Sequence, residues 1–400
     1  MKRMDFESMN LLNSRVNVLS GNLLPIAGNN SQFSVICRVH SIFVWLTQII
    51  LTIALISGFI LTPKEKALKD GMVCIVVLIE ASFMLSRFYS RQTLIREMIE
   101  KMNNILQNAD EIMADIAKAA IKPIIMPFTI YGVTSGLSIT IWTIQPVLLV
   151  FEKSTFFYVD YNLPTAFTTE PFSSRVLIFS TIIMTLGSVY LFLKKFGVDV
   201  YMMHLVLMLT AQYRYTAAKL MILFQDLQNS SHDKSQDKRH LVEDQWIEKE
   251  LKKICQHQNT ILHMSFILKK LLSVNFSLLY INNVFRFCFI GILLISIPSL
   301  SLAEGISVMS FATGSLMQFF LLCYSVQTLS DASTKITDKA FDEGWYQFGS
   351  PTKRTFLLLI MANNLECKIA AIGKFNLSLP SFMTIMNQSY SIALLVLRAK

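Results

Sequence analysis

The chain has 400 residues, of which 53% are hydrophobic and only 16% are charged, and its formal net charge is +9. A soluble domain of this length is rarely so apolar, so the composition favours a polytopic membrane protein. The Lys and Arg residues cluster in particular loops, which is typical of membrane topology signals, and we expect no nucleic-acid partner. The cysteines form no CxxC pair and the histidines no HExxH motif, so the sequence predicts no metal site and no cofactor.

Apolar stretches long enough to cross a bilayer recur along the chain. The predicted spans are residues 39–61, 72–89, 123–150, 177–196, 274–297 and 307–328. The apolar stretches 355–372 and 380–397 are interpreted as two parts of one broken helix, of which the second crosses the membrane. The sequence therefore predicts an all-α membrane protein with seven transmembrane helices.

Three of the predicted helices continue beyond the bilayer as amphipathic stretches. Residues 91–118 alternate apolar and charged positions, which indicates that the second helix continues into the cytoplasm. The fourth helix is predicted to continue to Leu227, and the fifth is preceded by an amphipathic stretch from Trp246 to Lys270. An apolar stripe outside the membrane has to be buried against other protein, so we expect these extensions to pack together.

The positive charges predict the orientation. Most of the 36 Lys and Arg residues fall in the connections that lie on the same side as the N-terminus. By the positive-inside rule the N-terminus is cytoplasmic and the C-terminus extracellular. The predicted organisation is a cytoplasmic N-terminal segment (1–38), transmembrane helices 1–4 (39–228), a hydrophilic cytoplasmic linker (229–243) and transmembrane helices 5–7 (244–400).

The last stretch, Pro380 to Leu397, carries no charge and is long enough for a helix of about 27 Å. Its polar residues share one helical face: Ser381, Thr384, Gln388 and Ser391. In hydrocarbon a polar face needs protein or water as a partner. Two interpretations follow, a contact between helices inside a bundle or the lining of a water path.

Four segments resemble insect odorant receptors. They are YNLPTAFTTEPF (161–172), HQNTILHMSFILKKLLSVNFSLLYINN (257–283), CYSVQTLSDASTKITDKAFDEGWYQ (323–347) and FNLSLPSFMTIMNQSYSIALLVL (375–397). The resemblance covers most of the chain, although Ile392 replaces the second Tyr of the family's Ser-Tyr-Ser-Tyr pattern. The short linker over 229–243 differs from the longer loop of the shared co-receptor, so the resemblance implies an odorant-tuning subunit.

The resemblance implies a tetrameric, odorant-gated, non-selective cation channel with a cytoplasmic helical anchor and a pore lined by the last helix. Its implied partners are a small apolar volatile ligand, the odorant co-receptor in a hetero-tetramer, and the lipid bilayer. The implied location is the plasma membrane of olfactory sensory neuron dendrites. The rival classes are a G-protein-coupled receptor and, ranked last, a transporter or membrane enzyme. No residue pattern predicts an enzyme.

The resemblance also suggests site residues. The family's gate pattern, aligned on Tyr390, falls on Ala393 and Leu397, and Gln388 is expected in the pore wall. The helix face that carries these gate residues lies opposite the polar face of the same helix, so the two faces cannot both point at the pore axis. An apolar odorant pocket is expected in the outer half of spans two, three, four and six. Its candidates are Phe83, Met84, Ser135, Ser138, Trp142, Ile182, Leu186, Met309 and Thr313, each of which ordinary bundle packing would also explain.

Glu80 and Arg286 are the charges deepest within predicted spans. A lone charge in a bilayer costs about 2.5–3.5 kcal/mol on insertion scales, so each needs a partner or water. Either the two side chains pair with each other, or each faces an aqueous cleft.

Overall fold

The computed structural model describes the backbone of residues 4–27, 33–231, 237–295, 301–342, 350–364 and 377–398. Side chains are described over the same ranges except at 68–69, 226–231, 237–245, 295, 339–342, 351, 364 and 396–398. The α-helices are α1 (Phe6–Met9), α2 (Leu11–Leu19), α3 (Val35–Leu61), α4 (Lys64–Ser90), α5 (Gln92–Gln107), α6 (Glu111–Ile144), α7 (Ser174–Ser231), α8 (Asp237–Ile295), α9 (Leu302–Asp342), α10 (Ser350–Asn364) and α11 (Leu379–Arg398). Two 3₁₀ helices (Gln145–Phe151 and Tyr158–Asp160) and two short strands, β1 (Thr155–Phe156) and β2 (Phe172–Ser173), lie between α6 and α7.

The all-α architecture is confirmed, with apolar helices long enough to cross a bilayer. Among the described residues, six stretches have the length and composition of a membrane span: 35–61, 70–90, 111–151, 174–225, 246–294 and 302–338. The seventh apolar helix, α11, has 20 residues and is about 30 Å long. Its mean hydropathy is lower because it carries Asn387, Gln388 and several hydroxyl groups. The chain is a multi-pass helical membrane protein.

The prediction that the second helix continues without a break through residues 91–118 is wrong. The helix α4 ends at Ser90, and Arg91 leaves helical geometry at φ −122° and ψ 26° before α5 begins. The amphipathic stretch is a separate helix whose buried face includes Ile95, Met98 and Met102. The apolar stripe is buried as predicted. Because α5 is separate from α4, its axis can meet the bundle at a different angle from that of α4.

Residues 111–118, which were also assigned to the extension of the second helix, belong instead to the helix of the third span. This helix, α6, begins at Glu111, is capped by the Asp110 side chain, and continues through Pro123 and Pro127. Proline removes a backbone hydrogen bond, yet helices packed inside a membrane bundle tolerate it because neighbouring groups satisfy the freed carbonyl. The long extensions of the fourth and fifth helices are confirmed, since α7 has 58 residues and α8 has 59.

The connection between α6 and α7 covers one end of the bundle, which we call the upper end. The strands β1 and β2 pair antiparallel there, with Phe156 opposite Phe172. The aromatic side chains of this connection pack in one cluster with Leu51 and Leu55 of α3. The Ala166 N–H donates to Ala54 O at 3.0 Å, which fixes the connection to α3.

Candidate functional site

A cavity of about 160 Å³ opens inside the bundle beneath the α6–α7 connection. Five helices supply its wall: α4, α6, α7, α8 and α9. The apolar part of the wall consists of Val73, Val77, Ile139, Leu163, Leu191, Phe192, Leu293, Val308 and Phe311. On α6 the wall residues run from Tyr131 to Thr143, a length of about 18 Å along the helix. A cavity near 150 Å³ holds a molecule the size of benzene, so this volume suits a small organic ligand.

Trp142 fastens the α6–α7 connection over the upper end of the cavity. Its Nε1–H donates to Asn162 O at 3.0 Å, and Asn162 Nδ2 donates back to Trp142 O at 2.9 Å. Asn162 also donates to Gln145 Oε1 at 3.1 Å. The next residue, Leu163, is part of the cavity wall. The reciprocal bonds therefore hold an apolar side chain across the upper end.

A group of buried polar side chains, which we call the polar cluster, lies at the opposite, lower end of the cavity. Tyr131, Lys195, Arg286 and Gln318 line the cavity there, whereas its other members, Glu80 and Asp199, pair with them from outside the wall. Arg286 pairs with Glu80 and also donates to Gln318. Lys195 lies 2.8 Å from Glu80 Oε1 and pairs with Asp199 one helical turn further on. Each of the four charged side chains is at most 4% exposed.

Asp199 is the hydrogen-bond acceptor that joins the polar cluster to two further helices. Tyr131 of α6 donates its hydroxyl to Asp199 Oδ2 at 3.0 Å, and Gln318 of α9 donates to the same oxygen at 2.9 Å. Two carboxylates thus face two cations, and the net charge of the cluster is zero. A buried charge is tolerable when it is paired and hydrogen-bonded, which is the situation of all four.

The pairing of Glu80 with Arg286 is the first of the two alternatives left open by the sequence. No pattern in the sequence indicated that Lys195 belongs with them, because it lies near the predicted end of span four, where Lys is expected at the membrane surface. A retrospective signal is the spacing of Lys195 and Asp199, which places opposite charges on one helical face.

Three of the predicted ligand residues lie in the cavity wall, all on α6: Ser135, Ser138 and Trp142. Met84 belongs instead to the main hydrophobic core. Phe83, Ile182, Leu186 and Met309 lie outside the cavity wall and are 37–58% exposed. The Thr313 hydroxyl donates to Met309 O of its own helix, and Thr313 also lies outside the wall.

The helix α11 packs on α8 through one face. Ile385, Ser389 and Ala393 are each at most 2% exposed. The Ser389 hydroxyl donates to Val284 O at 3.3 Å, which ties the two helices together. Gly291 lies so close to Ala393 that a Cβ atom on Gly291 would be 3.0 Å from the Ala393 Cβ.

None of the residues that the structure describes covers the polar face of α11. Thr384, Gln388 and Ser391 are exposed, and Ser381 is half-buried. The structure therefore places the predicted wall residue Gln388 on the free face and the predicted gate residue Ala393 against α8. The Leu397 side chain lies outside the described residues.

A multi-pass helical bundle with a largely apolar cavity between its helices can hold a small organic molecule within the membrane. The family model described as 7tm Odorant receptor matches residues 67–390 of this chain. The chain belongs to the insect odorant receptor family, and the predictions of an odorant receptor and of a protein that is not an enzyme are confirmed.

Individual relatives are similar to this chain over short segments. Odorant receptor 67c of Drosophila melanogaster is 26% identical over 138 residues, which are 34% of this chain and 31% of that relative. Odorant receptor 49a of the same organism is 31% identical over 87 residues, 22% of each chain. The chain thus matches less than a third of the length of these curated relatives.

The fold resembles solved structures over nearly the whole chain. The insect olfactory receptor OR5 from Machilis hrabei superposes with a TM-score of 0.79 at 11% identity, covering 99% of this chain and 100% of that one. The structure of the same receptor in complex with eugenol gives a TM-score of 0.78 at 12% identity, with coverages of 98% and 100%. At such identity the similarity supports the fold alone.

Proposed function

We propose that the chain is the odorant-binding subunit of a ligand-gated, non-selective cation channel. The observation that carries this proposal is the cavity of about 160 Å³, lined by five helices in a member of the odorant receptor family. It suits a volatile molecule of about six to ten non-hydrogen atoms. Among the sequence-predicted ligand residues, Ser135, Ser138 and Trp142 are in position to contact such a ligand.

The uncovered polar face of α11 supports the channel part of the proposal. A polar face on a membrane helix requires water or another chain. In a tetramer with the co-receptor, Gln388 and its neighbours on that face would line a shared water path. The gate residues Ala393 and Leu397 stay a prediction, and Ala393 would reach the axis only if α11 turned away from Gly291.

Gating follows from differential binding. A ligand shifts an equilibrium only when it binds one state better than the other. The cavity wall includes Arg286 and Leu293 of α8, and α8 carries the surface on which α11 packs. A ligand that displaces α8 would therefore alter the packing between α8 and α11. The pore would open without any covalent step.

The orientation and location complete the proposal. The Lys and Arg distribution supports a cytoplasmic N-terminus, which would place the upper end of the cavity outside the cell. The proposed location is the plasma membrane of olfactory sensory neuron dendrites. An epitope added after Lys400 should then stain intact cells, whereas a conventional G-protein-coupled receptor would keep it hidden.

The decisive experiment records current in excised outside-out patches without GTP, under a panel of volatiles, with and without the insect co-receptor. Rapid current that requires the co-receptor supports a tuning subunit. Current from this chain alone supports a self-sufficient channel. No current in either case, with the protein detected at the surface and volatile binding shown by thermal stabilisation, would contradict the channel proposal.

A further inference from the structure

An open groove lies on the lower side of the bundle, between α4, α5 and α8, and shares no residue with the wall of the cavity. Three cationic side chains line it, and we call it the basic groove: Arg87 near the end of α4, Arg91 at the junction of α4 and α5, and Lys270 on α8. Arg87 and Arg91 are half-buried and Lys270 is exposed, so a ligand from outside the bundle can reach this site.

The basic groove lies at the depth of the lipid headgroups. The helix α4 begins at the upper end, because Gly71 lies against Pro164 of the α6–α7 connection. Its apolar span, 70–90, has 21 residues and is about 31 Å long, close to the thickness of the hydrocarbon core, and it ends at the basic groove. On α8, Lys270 lies four residues before the predicted span 274–297.

The three cations are not compensated within the part of the chain that the structure describes. None of their side chains has a hydrogen bond or ion pair to another described residue. Arg87 and Arg91 lie close enough to repel each other, and like charges one helical turn apart are unfavourable. The described lining of the basic groove contains neither Asp nor Glu. An anion bound there would relieve the repulsion.

The acidic residues of the three surrounding helices do not supply that anion. On α4 the nearest one, Glu80, is buried in the polar cluster. On α5, Glu97 lies 3.8 Å from Lys101, and both Glu97 and Glu100 lie outside the groove lining. The helix α8 carries no acidic residue after Glu250. The basic groove therefore holds an excess of three positive charges.

Hydroxyl groups and the start of a helix add further donors to the basic groove. Ser86, Ser90 and Thr93 line it and are exposed. The Ser90 hydroxyl donates to Ser86 O at 2.8 Å, which leaves the Ser86 and Thr93 hydroxyls to donate to a ligand. No side chain caps α5, so its first N–H groups and its dipole also favour an anion. Phosphate oxygens accept from all of these donors.

Exposed apolar side chains lead from the basic groove toward the middle of the membrane. On α4, Phe83 and Ile79 follow Arg87 at intervals of one helical turn, and both are exposed. Phe83 also lines the basic groove. On α8, Val274 lies one turn above Lys270 and is exposed. A free phosphate would use only the cations, whereas a phospholipid would also lay its acyl chains along these apolar residues.

We propose that the basic groove binds the headgroup of a phospholipid that carries more than one negative charge, of the phosphoinositide class. Three cations without a partner among the described residues favour a headgroup with phosphate monoesters over one with a single net charge, because each phosphate adds both charge and acceptor oxygens. In the orientation proposed above, the lipid belongs to the cytoplasmic leaflet. Its binding does not depend on the proposed channel function, since the basic groove is separate from the ligand cavity.

The test measures lipid binding to the detergent-purified receptor by native mass spectrometry, in titrations that give an apparent Kd. Short-chain phosphatidylinositol bisphosphate is compared with phosphatidylserine and phosphatidylcholine of the same acyl chains. Inositol trisphosphate and inorganic phosphate distinguish a lipid from a free phosphate compound. We expect the bisphosphate lipid to bind at about tenfold or more lower concentration than the other two lipids and than either free compound.

Neutral substitutions in the basic groove should weaken this binding stepwise. Arg91→Gln and Lys270→Gln should each raise the Kd about fivefold, as expected for the loss of one cation near a membrane surface, and the double variant should lose the preference for the bisphosphate lipid. Lys122→Gln is the matched control, because Lys122 is an exposed cation next to the predicted span 123–150 and lies outside the basic groove. It should leave the Kd unchanged.

Equal affinity for the three lipids overturns the inference, and so does a Kd that changes in neither Arg91→Gln nor Lys270→Gln. An equal loss of affinity in Lys122→Gln also contradicts it, because non-specific attraction to surface charge would then suffice. If inositol trisphosphate binds as tightly as the lipid, the basic groove takes a free phosphate compound and the lipid assignment is wrong. Should a groove variant not fold, the order of the three lipids on the native chain still decides.

Discussion

Glu80 and Arg286 are 206 positions apart in the chain and form an ion pair in the apolar interior of the bundle. Glu80 is 0% exposed. The pair joins α4 to α8, and Lys195 extends it to α7. Lys195 and Arg286 also line the cavity, so the ion-pair network and the cavity wall have these two side chains in common.

The first prediction concerns the loss of one partner of this pair. Glu80→Gln or Arg286→Gln leaves an uncompensated buried charge, which costs about 3–5 kcal/mol. The double variant Glu80→Gln/Arg286→Gln keeps the cluster neutral through Lys195 and Asp199, so it should be more stable than either single variant. Thermal unfolding of the purified receptor measures the order.

The control for this prediction is a surface pair. Lys118 lies 3.9 Å from Asp115, and both side chains are largely exposed. Breaking an exposed pair costs under about 1 kcal/mol, so Lys118→Gln should be nearly silent. A double variant that is no more stable than the worse single variant would contradict the pairing as the source of stability.

The helical spans were predictable because their signal is local. An apolar run of about twenty residues specifies a membrane helix whatever surrounds it. The break at Arg91 had no such signal, since neither Pro nor Gly marks it and the amphipathic pattern continues on both sides. The helix α5 packs on α8 and on α1, and the local sequence pattern carries no information on such contacts between distant segments.

The site was predictable on one helix only. Ser135, Ser138 and Trp142 share one face of α6 by their spacing alone, and that face lines the cavity. Ile182 and Leu186 have equally regular spacing on α7, but the rotation of that helix directs them outward. Periodicity identifies a face and gives no information on which neighbour it meets. Lys195 and Gln318 enter the site for the same reason, through tertiary contacts.

The second prediction concerns the bond between Trp142 and Asn162. Trp142→Phe removes only the indole donor, worth about 1 kcal/mol, so ligand should leave the cavity several-fold faster. Trp142→Ala removes a large wall as well and should abolish or retune the ligand response while surface expression survives. Current deactivation after ligand washout and full dose–response curves provide the measurement.

Trp246→Phe on the extension of α8 is the matched control, because Trp246 is exposed and lies outside the cavity wall. It should change neither deactivation nor potency. An unaltered dose–response curve in Trp142→Ala would exclude Trp142 from the ligand site.

The third prediction concerns Asp110, the N-cap of α6. It accepts from Met113 N at 2.9 Å and from Tyr215, and it lies 2.6 Å from Lys219 Nζ. Partial burial favours the protonated form, but the hydrogen bonds from Lys219 and Met113 outweigh it and hold the pKa of Asp110 below its ordinary value of 3.8. A depressed carboxyl pKa stabilises the fold above the ordinary value, and that stability is lost as the pH falls below it.

Asp110→Ala should therefore lower stability by about 0.5–2 kcal/mol at neutral pH through loss of the cap. Asp110→Asn should keep the cap and flatten the acid limb of the stability curve. Asp115→Asn provides the comparison, because the Asp115 side chain on the same helix is largely exposed. Thermal unfolding measured from neutral pH down to about pH 3 gives the curve, and an acid limb identical in Asp110→Asn and native chain would refute the assignment.

The fourth prediction concerns the contact between α8 and the last helix. A methyl group on Gly291 would lie 3.0 Å from the Ala393 Cβ, closer than the two helices allow without moving. Over-packing of this kind costs about 1–3 kcal/mol, and α11 relieves it by shifting away from α8. Because we propose that α11 lines the pore, Gly291→Ala should change the basal current and the ligand sensitivity of the channel.

Gly136 on α6 is the matched site for this substitution, since a methyl group there meets nothing within 4 Å. Gly136→Ala should leave the basal current unchanged and stabilise the helix by about 0.5–1 kcal/mol, as alanine does in a helix interior. The measurement is the basal current and the half-maximal ligand concentration of both variants, corrected for surface expression. It distinguishes a contact that controls gating from a general effect of added side-chain volume. If the two variants behave alike, the packing of α11 on α8 does not control the pore. If only Gly291→Ala shifts the basal current, Gly291 and Ala393 lie at the contact through which ligand-driven motion of α8 reaches the pore helix.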